Sequence, residues 1–427
     1  FFFLAAEWML YFTARKIIDA KTSVLALLLF TTNPLLLYFA CTGELYAYDA
    51  AFSAFLVFLL LAAPRKWEFI LFAIYGILGA FRISSFVLTF PVVFAVLIYR
   101  YSKTKETALF YGNLGAIVLG SVAWFVPFVI AIGGWGQLST IIPIGLSTIP
   151  LAENLSTVLP FHFWMLNIGL ILLAIEAKTI WRRIRILDER DCILVLLILV
   201  PAGFFFLKYY AKGYALLYLA PVAILLARLI MQSRRKRGWA IATIAANLAI
   251  FFLVPYQVPS VRSTLNHAHR SMAERWQSAL FRSISYYAPT LAHLHASDSA
   301  MPLAKRFFDS IPNGSYVIVD GSSASLIPLR VLQYTYPNFT MLRSGATDSN
   351  DYEFYSNDST GETFDFRRIA SVPNVYYLTA IALSEETGMP PGNSIFRFGP
   401  LVLYWEPPAS RDSLHEYLNA LFFRQQE

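Results

Sequence analysis

Charged residues are scarce in this sequence. Only 14% of the 427 residues are Asp, Glu, Lys or Arg, whereas 57% are apolar, and the mean hydropathy is +0.54. Soluble domains usually carry about 25% charged residues. The composition therefore excludes an ordinary soluble globule, a coiled coil and a disordered chain, and it indicates a polytopic membrane protein.

Cysteine and the common catalytic motifs are almost absent as well. Cys41 and Cys192 lie in or beside apolar runs, and residues 256–427 contain no cysteine, so no disulfide framework is expected. The sequence has no Walker loop, dinucleotide glycine fingerprint, HExxH or GxSxG motif. It also lacks an Asp-x-Asp pair, the usual metal anchor of soluble sugar transferases. Several familiar enzyme classes are therefore disfavoured.

The basic residues are distributed unevenly between the two parts of the chain. Residues 1–255 contain 21 Lys and Arg against 11 Asp and Glu, whereas residues 256–427 contain 13 against 16. Because the basic excess belongs to the apolar part, it argues against a nucleic-acid partner and indicates loops that flank a membrane. We therefore divide the chain into a transmembrane helical domain, 1–255, and a soluble domain, 256–427.

Ten apolar runs are candidate membrane spans, although several are shorter than the roughly 20 residues that a spanning helix needs. The loops between them alternate in charge: one set carries 18 Lys and Arg, and the other carries only Arg82, Lys208 and Lys212. The positive-inside rule places the first set in the cytoplasm and the second outside, together with the tail. The protein is expected in the plasma or inner membrane. The candidate spans cover about 1–13, 22–41, 48–63, 67–81, 84–99, 108–132, 161–180, 191–207, 214–231 and 239–254.

The tail alternates helical and strand-like patterns. Helical patterns cover about 262–307 and 323–335, and short apolar runs follow at Tyr316, Phe339, Val375 and Leu401. This alternation predicts a small extracytoplasmic α/β domain. The connection 133–160 is rich in Gly, Pro and Ser and is predicted to be a broken outer loop at the membrane interface.

The three basic residues in the outer loops are candidates for an anion site. Lys208 and Lys212 are four residues apart, so on a helical turn their ammonium groups face the same way. Two cations beside several tyrosine hydroxyls suit a phosphate or diphosphate head group, and Arg82 supplies a third contact. The alternative is that each side chain extends to the phosphates of ordinary lipids.

Acidic residues are also few in the outer loops. Asp49 opens a predicted span, where a carboxylate also serves as a helix cap, and Glu44 lies five residues earlier. Two neighbouring carboxylates can divide the roles of acid and base or bind a metal, so a divalent cation is the one cofactor left open. His162 is interpreted as a residue of the aromatic interface belt. The spacing of the pairs His267/His269 and His293/His295 places their members on opposite sides of a helix, which disfavours a zinc site.

Three segments of the apolar part occur in a familiar order. They are Asn33-Pro-Leu-Leu with Gly43-Glu-Leu-Tyr-Ala-Tyr-Asp49, then Gly76-Ile-Leu-Gly-Ala-Phe-Arg82 with Pro91, then Lys208-Tyr-Tyr-Ala-Lys212 with Tyr218-Leu-Ala-Pro221. In this order, across residues 1–255, the sequence resembles GT-C superfamily glycosyltransferases. The likeness is to the branch of protein mannosyltransferases and lipid A aminoarabinose transferases.

The resemblance implies a reaction and roles for the candidate residues. Such enzymes move a sugar from a polyprenyl-phosphate carrier to a lipid, glycan or protein acceptor at the outer face of the membrane. By this likeness Asp49, with Glu44 beside it, is the catalytic candidate near the acceptor or a metal. Arg82, Lys208 and Lys212 would hold the donor phosphate.

The sequence departs from the family at its beginning. The principal catalytic acid of the family lies in the first outer loop, and this sequence has no residues for that loop. Because it starts at Phe1, we interpret it as an N-terminally truncated fragment of an active enzyme rather than an inactive relative.

Two other classes of protein stay open. A multi-pass transporter would need ionisable groups near the midplane and broken helices, and a membrane-anchored binding protein would use the tail without catalysis.

Overall fold

The computed structural model describes fourteen stretches of the chain, which divides into two compact units, Phe1–Leu253 and Val254–Glu427. The described stretches are 2–42, 46–131, 133–136, 151–177, 188–207, 213–254, 289–319, 335–336, 338–346, 352–356, 363–364, 375–380, 394–398 and 401–406.

The described part of the first unit is helical throughout. Besides short 3-10 helices at Arg65–Trp67 and Tyr214–Tyr218, it contains twelve α-helices. These are α1 (Phe2–Ile17), α2 (Ala20–Thr31), α3 (Pro34–Cys41), α4 (Tyr46–Leu61), α5 (Glu68–Leu78), α6 (Ile83–Thr104), α7 (Thr107–Ala131), α8 (Leu151–Leu166), α9 (Ile168–Ile175), α10 (Glu189–Leu207), α11 (Leu219–Gln232) and α12 (Lys236–Leu253).

Several of these helices are long and apolar enough to cross a membrane, so the chain is an integral membrane protein. Five segments qualify among the described residues: α6, α7, α10, α12 and the continuous stretch Tyr214–Gln232. The pair α2 and α3, bent by 53°, is a sixth if it forms one span. The other four candidate spans fall on helices of 8 to 16 residues. The figure of about ten spans therefore stays a prediction.

Asparagine residues interrupt two helical segments and cap the helix that follows. Asn33 accepts a hydrogen bond from Leu35 N–H at the start of α3. Pro34 has no N–H, so it cannot continue the backbone hydrogen bonds of α2. Asn167 has a φ of 35° and accepts from Ile168 N–H at the start of α9. The amide of Asn33 donates to Met165 O at 2.9 Å, and the amide of Asn167 donates to Asn247 at 2.6 Å. These bonds satisfy polar groups at both breaks inside an apolar bundle.

Close contact between α5 and α7 fixes the position of the α5–α6 turn. A Cβ at Gly120 would collide with Ala73 O, so the two backbones approach more closely there than a larger residue allows. The indole of Trp124 donates a hydrogen bond to Gly76 O at 2.8 Å. Arg82 lies four residues after the end of α5, as the N-cap residue of α6, so the packing of α5 on α7 constrains its place in the first unit.

One sequence-based expectation about a loop was wrong in part. Residues 151–160 of the predicted broken connection are helical in α8, and its residues 137–150 lie outside the described residues. At the start of α10, Asp191 forms an ion pair with Arg228 of α11.

The second unit contains a helix and a mixed sheet within its described residues. Helix α13 (Leu291–Ser310) begins at Thr290, whose side chain accepts from His293 N–H. The strand order is β4-β3-β2-β1-β5-β7-β6, with β1 parallel to β2 and β5 and the other pairs antiparallel. The strands are β1 (Tyr316–Val319), β2 (Thr340–Ala346), β3 (Tyr352–Ser356), β4 (Thr363–Phe364), β5 (Val375–Ala380), β6 (Ser394–Phe398) and β7 (Leu401–Glu406).

The four apolar runs predicted as strands are confirmed as β1, β2, β5 and β7. Part of the first predicted helix is present as α13, and the second, 323–335, lies almost wholly outside the described residues. The core between α13 and the chain around β2 is aromatic: Phe308 stacks on Tyr336 with ring centroids 5.1 Å apart and meets Phe339 edge-on. That the unit is an extracytoplasmic α/β domain stays a prediction.

Candidate functional site

Asp49 and Arg82, two of the residues singled out in the sequence, form an ion pair in the first unit. Asp49 lies in the first turn of α4, and Arg82 lies between α5 and α6. Their side chains are 1% and 13% exposed. A pair this buried needs good geometry and further hydrogen bonds to offset the loss of hydration.

The other carboxylate oxygen of Asp49 has its own partner. The hydroxyl of Ser85, in the first turn of α6, donates to it at 2.6 Å. Both oxygens of Asp49 are therefore engaged, and the residue is fully buried. In this arrangement Asp49 holds Arg82 and the start of α6 in place, and its carboxylate does not face solvent.

Two tyrosine rings enclose the guanidinium of Arg82. Its central carbon lies 4.6 Å from the ring centroid of Tyr46 and 4.7 Å from that of Tyr214. Tyr46 begins α4, Tyr214 begins the second 3-10 helix, and their centroids are 5.9 Å apart. A planar guanidinium stacks well on aromatic faces, whereas an ammonium group is compact and strongly hydrated. The two rings, inclined at 74° to each other, lie on two sides of the guanidinium and fix the position of the charge.

This arrangement can hold an anion. A guanidinium has five N–H donors, and Asp49 and Ser84 each take one, with the Ser84 bond long at 3.4 Å. The contact with Tyr214 is to the face of its ring, so Arg82 retains donor capacity. The side chain remains partly exposed. A partly exposed, pre-positioned arginine is suited to a carboxylate or a phosphate.

The second 3-10 helix is held close to Tyr46 by Gly213, and this contact gives a prediction. A Cβ at position 213 would overlap the Tyr46 ring, so Gly213→Ala should displace that ring from Arg82. We expect a loss of about 1–3 kcal/mol in unfolding free energy, as for other overpacked sites. The measurement is denaturant unfolding in detergent micelles. Gly203→Ala is the control, because open space surrounds a Cβ in that position of α10. Equal stability of the two variants would contradict the predicted overlap.

A polar contact that the sequence did not indicate lies at the other end of the same 3-10 helix. The hydroxyl of Tyr218 is 2.6 Å from Nε2 of His162. His162 was interpreted as a belt residue, and the two residues are 56 positions apart. No local pattern predicts such a pairing, because it depends on how α8 meets the 3-10 helix Tyr214–Tyr218.

Three of the predicted site residues, Glu44, Lys208 and Lys212, lie outside the described residues, as does the pair His267/His269. Their roles stay predictions, and so does a metal ion bound by Glu44 and Asp49. Among the residues that the structure describes, no group of three or more His, Cys, Asp or Glu side chains could hold a metal ion.

Comparison with known proteins gives a likeness of fold. No protein family model matches the sequence, and no curated protein matches it either. The crystal structure of ArnT from Cupriavidus metallidurans bound to undecaprenyl phosphate superposes with a TM-score of 0.56 at 12% identity, covering 95% of this chain and 82% of that chain. ArnT in the apo state gives 0.56 at 12% identity, over 96% and 82%. ArnT is a lipid A aminoarabinose transferase of the GT-C type, so the resemblance proposed from the sequence is confirmed at the level of the fold.

Proposed function

We propose that this chain is a membrane glycosyltransferase that moves a sugar from a polyprenyl-phosphate-linked donor to an acceptor. The observation that carries the proposal is Arg82, held by Asp49 between the rings of Tyr46 and Tyr214 in an apolar helical unit. ArnT, which has the same fold, is known with undecaprenyl phosphate bound. An arginine and a lipid-linked phosphate are chemically matched partners.

Arg82 would bind the donor phosphate and stabilise the charge that develops on it as the sugar leaves. A cation that is already in position contributes most to such a step, since it does not have to reorganise during the reaction. Asp49 and Ser85 provide this order, because they fix the guanidinium and the start of α6. We therefore propose that Asp49 acts through Arg82 as a positioning residue, whereas the sequence-based role as catalytic acid requires its carboxylate to leave Arg82.

Lys208 and Lys212 are proposed to belong to the same phosphate site. Lys212 precedes Tyr214 by two residues in the sequence, and Tyr214 contacts Arg82. The site and the tail are proposed to lie on the extracytoplasmic side of the plasma or inner membrane, as the distribution of basic loops predicts. The acceptor is then a lipid, glycan or protein that reaches this face.

The proposal is tested by a transfer assay. The full-length protein, purified into lipid nanodiscs, is supplied with undecaprenyl-phosphate-linked sugars, including aminoarabinose and mannose, together with lipid A, glycan and peptide acceptors. Release of undecaprenyl phosphate, with and without EDTA, is measured. We expect donor-dependent release that Arg82→Ala removes, and loss of release in EDTA would support a divalent cation. A folded chain that neither binds undecaprenyl phosphate nor releases it would contradict the proposal.

A transporter is the second candidate, because two interrupted helical segments meet inside the bundle. Discontinuous helices frame substrate sites in many transporters. Here a small cavity of about 10 Å³, room for about one water molecule, lies beside the break at Asn33, and Met165, Thr243 and Asn247 are among its other lining residues. The amides of Asn33 and Asn167 are used to join neighbouring helices, which favours a structural role for them. Solute uptake by proteoliposomes, in the absence of sugar transfer, would favour the transporter over the glycosyltransferase.

A further inference from the structure

The 3-10 helix Tyr214–Tyr218 connects the arginine site with His162. Its first residue, Tyr214, covers Arg82, and its last, Tyr218, contacts His162 of α8. The Tyr218 side chain is almost completely buried, and its ring lies nearly parallel to the imidazole, with centroids 5.7 Å apart. A buried phenol that loses its hydrogen-bond partner is costly, so this contact restrains the end of the 3-10 helix.

The direction of the hydrogen bond follows from the second ring nitrogen of His162. Nδ1 lies 2.8 Å from the carbonyl oxygen of Val158, and a carbonyl can only accept. Nδ1 therefore carries the proton, Nε2 is the acceptor, and the Tyr218 hydroxyl donates to it. The result is a fixed imidazole–phenol pair with a defined tautomer.

Consecutive residues of α10 support both ends of the 3-10 helix. Phe205 stacks on Tyr214 with centroids 4.5 Å apart, and Phe206 lies 5.0 Å from the imidazole of His162. Beyond the 3-10 helix, Ala220 N–H donates to Ser53 Oγ of α4 at 3.3 Å. Within it, Leu216 N–H donates to Gly213 O at 3.0 Å. A displacement at Tyr218 would therefore be transmitted to Tyr214 through a short, hydrogen-bonded segment.

We propose that His162 is a positioning residue: through Tyr218 it fixes the 3-10 helix so that Tyr214 remains over Arg82 and the arginine stays ready for an anionic lipid head group. This inference rests on the proposed function, since it assigns His162 to the same phosphate site. His162 itself touches neither Arg82 nor the reacting atoms, and its effect is on the affinity of the site.

The test compares Tyr218→Phe, which removes only the hydroxyl, with His162→Phe, which keeps an aromatic ring but removes the acceptor. We expect each to weaken binding of undecaprenyl phosphate in nanodiscs by about tenfold, the usual scale for one buried hydrogen bond. The double variant should be no weaker than either single one, because the same bond is lost. The KM for the donor should rise, while kcat at saturating donor stays unchanged. His162→Gln, which offers an acceptor at a similar position, should restore binding to within about twofold of the original.

Thr13→Val is the matched control. Thr13 is also fully buried and hydrogen-bonded, to Met9 O at 2.6 Å, but it lies near the end of α1, whose Lys16 contacts the end of α4 opposite Asp49. It should lose stability and keep its affinity. If Tyr218→Phe and His162→Phe behave like this control, with affinity unchanged, the positioning role is overturned. If the unmodified protein fails to bind undecaprenyl phosphate, the proposed function itself is overturned, and the inference falls with it.

Discussion

Arg82→Ala is expected to abolish measurable binding of undecaprenyl phosphate, with an affinity loss on the order of 100-fold or more. Truncating one partner of a buried, hydrogen-bonded charge pair typically costs about 2–5 kcal/mol in binding. Arg82→Lys keeps the charge but loses the planar guanidinium that contacts the rings of Tyr46 and Tyr214, so it should bind only weakly. The measurement is a binding titration with the protein in nanodiscs.

Arg100→Ala is the control for this experiment. Arg100 also forms an ion pair, half-buried, with Glu68 at 3.5 Å, but this pair joins α6 to the start of α5, at the opposite ends of those helices from Arg82. Its loss should lower stability while leaving the affinity for undecaprenyl phosphate intact. An equal loss of binding in both variants would mean that the effect of Arg82→Ala reflects damage to the fold and not loss of the phosphate site.

Asp49→Asn is expected to destabilise the protein by about 3–5 kcal/mol, because it leaves the Arg82 guanidinium buried without its counter-charge. The double variant Asp49→Asn with Arg82→Met should be more stable than Asp49→Asn alone, since it removes both buried charges. Ser85→Ala removes only one hydrogen bond of Asp49 and should cost about 1 kcal/mol. The measurement is the free energy of unfolding in detergent micelles.

Kinetics of Asp49→Asn distinguish the two roles considered for this residue. A positioning role predicts that the KM for the donor rises and that kcat changes little. A catalytic-base role predicts that kcat collapses while donor binding is kept. For the unfolding measurements, additivity is the contradicting outcome. If the losses of unfolding free energy in Asp49→Asn and Arg82→Met sum to the loss in the double variant, the ion pair is not the source of the effect.

The sequence identified Asp49 and Arg82, but it could not show that they form a pair. Both are unusual because charges are rare in the outer loops, and the GT-C resemblance pointed to the same two residues. Their contact depends on the helical turn between α5 and α6, which the close approach at Gly76 and Gly120 sets in place. Such contacts between distant segments leave no periodic signal in a sequence.

The two interruptions between helices also depend in part on contacts between distant segments. The interruption at Asn33-Pro34 combines a capping residue with a proline, and both features are visible in the sequence. The interruption at Asn167 falls within the predicted span 161–180, and its partner is Asn247 of α12, 80 residues away. A bond of that range is decided by helix packing, so the span was predicted as continuous.

In the tail, the strands found from sequence are those with compact apolar runs. β1 and β5 are central and parallel, and their sequences Tyr-Val-Ile-Val and Val-Tyr-Tyr-Leu-Thr-Ala are rich in β-branched and aromatic residues. β3, β4 and β6 lie towards the edges of the sheet; β4 has only two residues, and β3 and β6 each carry a charged residue among the apolar ones. Edge strands are held by pairing with a neighbour rather than by burial on both faces, and composition alone did not indicate them.

Binding of the anionic head of a lipid carrier by Arg82 is tested most directly by an experimental structure of the protein in nanodiscs with undecaprenyl phosphate. We expect the phosphate to lie within hydrogen-bond reach of the Arg82 guanidinium, beside Tyr46 and Tyr214. This expectation would be contradicted by a phosphate bound elsewhere on the protein while Arg82 remains engaged only with Asp49.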